Sequence, residues 1–354
     1  MLVRTKNMRG MTHESLEEGM KLVYREFGRV LAAVITAAGL LASGGATAQT
    51  VKVVAFAGAS NWPYWVAQEK GFFKQEGIET TLDITPNSVE MARNLNGGRY
   101  DLALSSIDNI VAYNEGQGEA DLGGPTNFVT LFGVENGLLS VMAVPEVNSF
   151  ADLKGKTLSV DAMTTGFAFV LREILARNNI TDNDVKIVRV GGGAQRLEAL
   201  LKKEQDATIL NAPLDLVAEA RGFKRLARAR EVLGSYQGIT GAAKRDHAEH
   251  KRKDFEGFIR AFHHAVTWLG DPANKEDAIA LLMARMKGME RPGAERAYQV
   301  LLDPKEGIYR DLKVDREGVR TVLALRSKYG QPRKELSDPG RYIDESYLAN
   351  ALKK

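Results

Sequence analysis

The chain has 354 residues, 44% of them hydrophobic and 26% charged, with a net charge of +3. That is globular composition, enough for one large or two medium domains, with none of the basic excess of a nucleic-acid binder. Cysteine is absent, which excludes disulfides, thiolate metal sites, Cys nucleophiles and the lipid-bearing Cys that tethers many exported proteins.

Residues 20–48 read as a secretory leader. Lys21, Arg25 and Arg29 precede the apolar run Val30–Ala42, and Ala46-Thr47-Ala48 offers a small-residue cleavage site before Gln49. The run is shorter than the roughly 20 residues that span a bilayer. A cleaved leader at 1–48 is therefore expected over an uncleaved anchor, with residues 1–19 as an upstream extension.

Val51–Ala57 alternates and is rich in β-branched residues, so it reads as a strand. Trp62–Gly71 reads as a helix that tolerates Pro63 in its first turn. Glu79–Thr85 is a second strand, Val89–Leu95 a short helix, and Asp101–Ser105 a third strand. This βαβαβ order predicts an open, largely parallel sheet. It recurs with one shift, 105 residues between Asp101 and Asp206. The same shift carries Val53 to Leu158, Ser60 to Thr165 and Trp62 to Phe167. Two similar lobes follow, residues 49–140 with 241–354, and residues 141–240. Leu138–Val144 and Tyr236–Ala242 are expected as the two crossing strands of a hinge.

The last third is helical. Phe255, Phe258, Ile259, Phe262, Val266 and Leu269 form one apolar stripe. Asn274 and Asp277 suggest a capping box opening a helix over Ala278–Met286. Pro292–Leu302 and Arg316–Lys328 are further helices. All are expected to pack on the first lobe.

Ligands of open α/β sheets bind beyond the carboxyl ends of the strands, where helix N-termini present free N–H groups. Four junctions fit: Gly58–Trp62, Ser105–Asp108, Met163–Phe167 and Leu210–Pro213. Candidate contacts there are Ser60, Asn61, Ser105, Ser106, Thr164, Thr165, Gly166 and Asn211, which offer hydroxyls, amides or bare backbone. Each taken singly suits helix capping equally well; the set, at matching places in both halves, points to a shared cleft. Trp62 and Phe167 would sandwich a planar solute, with Tyr64 or Trp65 as a wall, the alternative being that these rings belong to the lobe core. Gly191-Gly192-Gly193 opens another helix, where Gly192 and Arg196 would meet an anion or simply make a tight turn.

No catalytic constellation emerges. His247 and His250 sit among Lys244, Arg245, Lys251, Arg252 and Lys253, a solvated basic face rather than a metal site. Asp215 and Glu219 read as a surface pair. No metal and no cofactor are expected.

Four segments resemble a known family. They are Pro63–Glu79 (PYWVAQEKGFFKQEGIE), Asp152–Lys156 (DLKGK), Ala199–Ala207 followed by Pro213, and Asp271–Ile279 (DPANKEDAI). In this order they are similar to the nitrate/sulfonate/taurine-type binding proteins of ABC importers, in a superfamily shared with the thiamine-pyrimidine synthases. The resemblance implies an α/β type II periplasmic binding protein fold, two doubly wound lobes joined by a two-strand hinge. It implies a non-enzyme that closes on a small organic anion: a sulfonate, a taurine-like solute or an aromatic acid. It further implies a periplasmic monomer with an inner-membrane permease as partner and no nucleic acid. Two alternatives share the fold: a synthase-like enzyme, whose branch carries a cysteine-rich motif absent here, and a periplasmic sensor module.

Overall fold

The computed structural model describes residues 49–286 and 288–353. The expected leader at 1–48 lies outside the described residues. In chain order the strands are β1 (Gln49–Ala55), β2 (Ile78–Ile84), β3 (Leu102–Ser106), β4 (Phe128–Gly133), β5 (Leu139–Ala143), β6 (Thr157–Val160), β7 (Lys186–Arg189), β8 (Ala207–Asn211), β9 (Lys224–Arg228) and β10 (Ile239–Lys244). They form two five-stranded sheets, in the orders β2-β1-β3-β10-β4 and β7-β6-β8-β5-β9.

The two sheets repeat each other in register. Val53 pairs with Leu82 on one side and Leu102 on the other. Leu158, 105 positions on, pairs with Ile187 and Ala207. An aspartate fastens the same place in each. Asp101 accepts the Lys52 N–H at 2.7 Å, and Asp206 accepts the Thr157 N–H at 2.8 Å. The strand pairs β1–β2, β1–β3, β6–β7 and β6–β8 are parallel, while β10 and β5 run antiparallel to their neighbours.

Alternation along the strands buries both faces of the first sheet, as parallel sheets require. Val51, Val53, Ala55, Leu102 and Leu104 belong to one apolar cluster, and Val54 and Ala103 to the other. The first cluster is covered by the helix Arg252–Leu269, whose Phe255, Phe258, Ile259 and Phe262 are fully buried. Phe258 stacks on Phe73 with ring centroids 5.1 Å apart. Each such side chain contributes roughly 1.5–3 kcal/mol by leaving water, which anchors this helix to the first lobe as its stripe predicts. Two helices depart from the expectation: Arg291–Leu301 also packs on the second lobe's helix Leu214–Ala220, and Arg316–Tyr329 packs on the first lobe's helix Ile107–Asn114 and on the second lobe's helix Gly166–Arg177.

The hinge differs in detail from the sequence reading. The expected crossing segments do form strands, but each joins a single sheet, β5 the second and β10 the first. The chain itself crosses at Val134–Leu138 and Gly234–Gly238. These two crossings are in backbone contact: a side chain on Gly238 would overlap the Gly137 backbone, and the Gly238 N–H donates to the Glu135 carbonyl at 3.1 Å. The expected capping box at Asn274 is also absent. The Asn274 amide donates to the Trp268 carbonyl at 2.9 Å, so it closes the preceding helix instead.

Candidate ligand-binding cleft

Between the lobes lies a gap of about 500 Å³, its mouth included. It is built at the carboxyl ends of the strands. From the first lobe come Phe56 and Ala57 after β1, Ser106 at the end of β3, Asp108 and Asn109 in the helix that follows, and Ile239. From the second come Asp161 after β6, then Thr165, Gly166 and Phe167 at the next helix start. Gly192, Gly193 and Arg196 at the start of helix Gly193–Leu201, with Asn211 ending β8, complete it.

Of the residues singled out in the sequence, Ser106, Thr165, Gly166, Phe167, Gly192, Arg196 and Asn211 line this gap. The others are placed elsewhere. Trp62 is fully buried and meets Tyr298 edge-on at 6.1 Å. Tyr64 donates to Thr80 at 2.9 Å inside the same core. Their expected exposure fails because the C-terminal helices cover this face, a long-range effect invisible in a local pattern. The aromatic that the first lobe brings to the gap is Phe56. Asn61 donates to the Phe56 carbonyl at 2.7 Å and holds that turn. Ser60 is buried beside the Glu135 carboxyl. Ser105 is buried and accepts from the Asn109 amide at 3.0 Å. Thr164 contributes its carbonyl to Arg326, and its side chain is not part of the wall.

Two expectations outside the cleft are also corrected. His247 keeps about a third of its side chain exposed but is not a free surface group: its Nε2 lies 2.6 Å from Asp101 Oδ1. Asp215 is buried, bonded to Ser140 at 2.9 Å and to Arg225 at 3.0 Å, so it is no surface pair with Glu219. Among the described residues no group of three or more His, Asp or Glu is placed to hold a metal, and no helix is long and apolar enough to cross a membrane.

The lobes touch along the rim. Gly192 N–H donates to the Pro86 carbonyl at 2.9 Å, Ser88 N–H to Asp161 at 3.2 Å, and Met163 N–H to Glu119 at 2.8 Å. Arg326 lies under the rim and joins both sides. It holds Asp108 of the first lobe, donates to the Thr164 carbonyl of the second at 2.6 Å, and stacks over Phe169 at 4.8 Å. Glu173 adds a surface tie. Burial would raise its pKa, but hydrogen bonds from Lys328, Tyr329 and Arg177 prevail and hold it at about 2.

Arg196 is the basic residue lining the gap, which the carboxylates of Asp108 and Asp161 also line. It is 1% exposed, and its side chain donates to carbonyl oxygens, Nε to Ile209 at 3.2 Å and Nη1 to Gly191 at 2.7 Å. Neither supplies a counter-charge. Burial pulls its pKa down to about 10, against the through-space pull of Asp161, so it stays charged at neutral pH. Phe56, Ala57, Asn109, Asp161, Ile239 and Arg326 are the residues that the sequence reading missed here, while Asp108 and Gly193 stand in segments it named without singling them out. Phe56 and Asp161 directly follow strands related by the 105-residue shift, so the repeat itself held a signal for them.

Two α/β lobes of one strand order, crossing twice and meeting over a gap at their strand ends, form the two-lobed architecture of the solute-binding proteins. The profile of the NMT1/THI5-like family matches residues 59–274, and the chain belongs to that family. A periplasmic binding protein of an ABC transporter from Brachyspira hyodysenteriae is 30% identical over 249 residues, covering 66% of this chain and 69% of the relative. A binding protein of Bacillus subtilis is 25% identical over 223 residues, 61% of this chain and 65% of that one. Among solved structures, the periplasmic nitrate-binding protein of Synechocystis superposes with a TM-score of 0.71 at 14% identity, over 86% of this chain and 88% of its own. The alkanesulfonate-binding protein of Xanthomonas axonopodis gives 0.67 at 16% identity, over 84% and 99%. The fold is that of the periplasmic substrate-binding proteins of ABC transporters.

Proposed function

We propose that this protein captures a small organic acid in the periplasm by lobe closure and delivers it, chemically unchanged, to an inner-membrane ABC permease. The leader at 1–48 serves export, and the processed chain works as a soluble monomer. Residues 49–138 with 239–354 form one moving body, and residues 139–233 the other.

One observation carries the choice of an anion: Arg196 is a buried guanidinium facing the gap without a paired carboxylate. A charge held this way is stabilised strongly by a solute of opposite sign, because a low-dielectric wall screens little. The helix start at Gly193 adds N–H groups of the same polarity. Phe56 and Phe167, one from each lobe, give the gap aromatic walls suited to a flat or apolar body on the acid. The Thr165 hydroxyl already donates to the Ala162 carbonyl at 3.0 Å, so it is left to accept.

The test is calorimetry and thermal shift on the purified protein against alkyl and aryl sulfonates, taurine and aromatic carboxylates. A binder raises the melting temperature through mass action on the folded state. Phe167→Ala should weaken that binder without loss of fold. Binding of neutral or cationic solutes with no acid among them would overturn the reading.

A further inference from the structure

Anion capture leaves Asp161 without a task. It stands one residue past β6, at the carboxyl end of the strand, and lines the gap near Thr165, Gly192 and Arg196. It is 6% exposed. Its Oδ2 accepts the Ser88 N–H from the opposite lobe at 3.2 Å. Its Oδ1 is buried and accepts no hydrogen bond. Two other buried carboxylates near the lobe junction are satisfied on both oxygens. Asp108 takes two bonds from Arg326, and Glu135 takes one from Gly137 and one from Ile239.

An acceptor oxygen held dry and unpaired is unfavourable, and a folded chain rarely leaves one without a purpose. Arg196 does not relieve it, since the two act on each other through space. The wall thus presents a cation with spare donors and, separately, a carboxylate with a spare acceptor. A bare anion answers only the first.

We infer that Asp161 is the specificity-determining residue of the cleft, accepting a hydrogen bond from an N–H of the solute, so that the preferred solute is a small acid also bearing an amino or ring N–H group. This rests on the anion-capture reading and narrows it. Asp161 also ties recognition to closure, because the carboxylate that receives the solute's N–H is the one that receives Ser88 from the facing lobe. Closure brings the Ser88 helix onto Oδ2, and the solute completes Oδ1.

The experiment uses matched acids, with and without the donor: 4-aminobenzoate against benzoate, and taurine against ethanesulfonate, plus benzylamine and ethylamine as donors lacking the acid. Calorimetry on the purified protein should show the donor-bearing member of a pair binding about 10- to 100-fold tighter. Asp161→Asn keeps the volume and the acceptor for Ser88, and should bring that pair to within about threefold of each other. Equal affinities in the unaltered protein would overturn the inference and leave anion capture standing. If the amines bind and no acid does, anion capture falls while the role of Asp161 remains. No binding by any of the six overturns both. If Asp161→Asn fails to fold, the matched pairs on the unaltered protein still decide.

Discussion

Arg326 and Asp108, 218 positions apart in sequence, meet as a two-pronged ion pair, Nε to Oδ1 at 2.6 Å and Nη2 to Oδ2 at 2.7 Å. Their side chains are 0% and 2% exposed. Removing one member strands the other in a dry interior. Arg326→Met should therefore destabilise the protein by about 3–5 kcal/mol in urea unfolding. The double variant Arg326→Met with Asp108→Leu should recover much of that loss, since no charge is left unpaired. It should not recover closure, because the bond to the Thr164 carbonyl is gone. Small-angle scattering would then report a larger radius of gyration than for the unaltered protein. A double variant as compact as the original would remove Arg326 as the tie between lobes.

Gly166 permits that arrangement. A Cβ built there would lie 2.7 Å from Asp108 Oδ1 and closer still to its Cβ and Cγ. Its backbone is ordinary for any residue, so space alone demands glycine. Gly166→Ala should push the helix start away from Asp108 and hold the lobes apart. The expected outcome is a solute affinity lower by about tenfold or more, with each lobe intact by circular dichroism. Unchanged affinity would mean that the lobes close without this contact.

The paired aspartates of the repeat should not weigh equally. Asp101 has the Lys52 N–H, His247 and Lys251 around it. Burial would raise its pKa, but those three partners prevail and lower it. Asp206 has the Thr157 N–H and the half-exposed Lys156 at 3.5 Å. Asp101→Ala should cost about 2–4 kcal/mol and Asp206→Ala about 1–2 kcal/mol. The sign of the acid effect follows from the lowered pKa. The stabilisation by Asp101 is present above its ordinary value of 3.8 and is lost as pH falls below it. Equal losses from the two variants would show that the backbone bond alone matters.

Much of this fold was legible because it rests on local pattern. Strands with β-branched alternation, such as β1, and the stripe from Phe255 to Leu269 carry their own period. The shift of 105 residues became an identity of register, because each lobe must satisfy the same pairing of its first strand with the next two. What was illegible depends on partners far along the chain. Nothing near Trp62 announces that Tyr298 will cover it, and nothing near Asp108 announces Arg326. The cleft was half read for the same reason: hydroxyls and glycines at strand ends can be anticipated. Which strand end turns its side chain into the gap, Phe56 rather than Trp62, is decided by the helices that pack behind.

Glu135 gives a dependence on pH that reaches neutrality. It lies on the first crossing, 1% exposed, and accepts the Gly137 and Ile239 N–H groups without any cation beside it among the described residues. Burial raises its pKa from 4.5 to about 7, against the lowering effect of Gly137, Ile239 and Ser60. A carboxyl whose pKa is higher folded than unfolded binds a proton on folding. Its contribution is therefore favourable below about 4.5 and lost as pH rises to about 7, amounting to about 3 kcal/mol. Glu173 acts in a separate window and with opposite sign: held at about 2, it loses its stabilisation as pH falls from 4.5. Urea unfolding between pH 4.5 and 8 should thus show stability from Glu135 declining, and Glu135→Gln should flatten that slope and exceed the unaltered protein at pH 8. Parallel curves for the two proteins across this range would mean that Glu135 titrates as an ordinary carboxylate. The two crossings would then be joined by their backbone bonds without help from a neutral side chain.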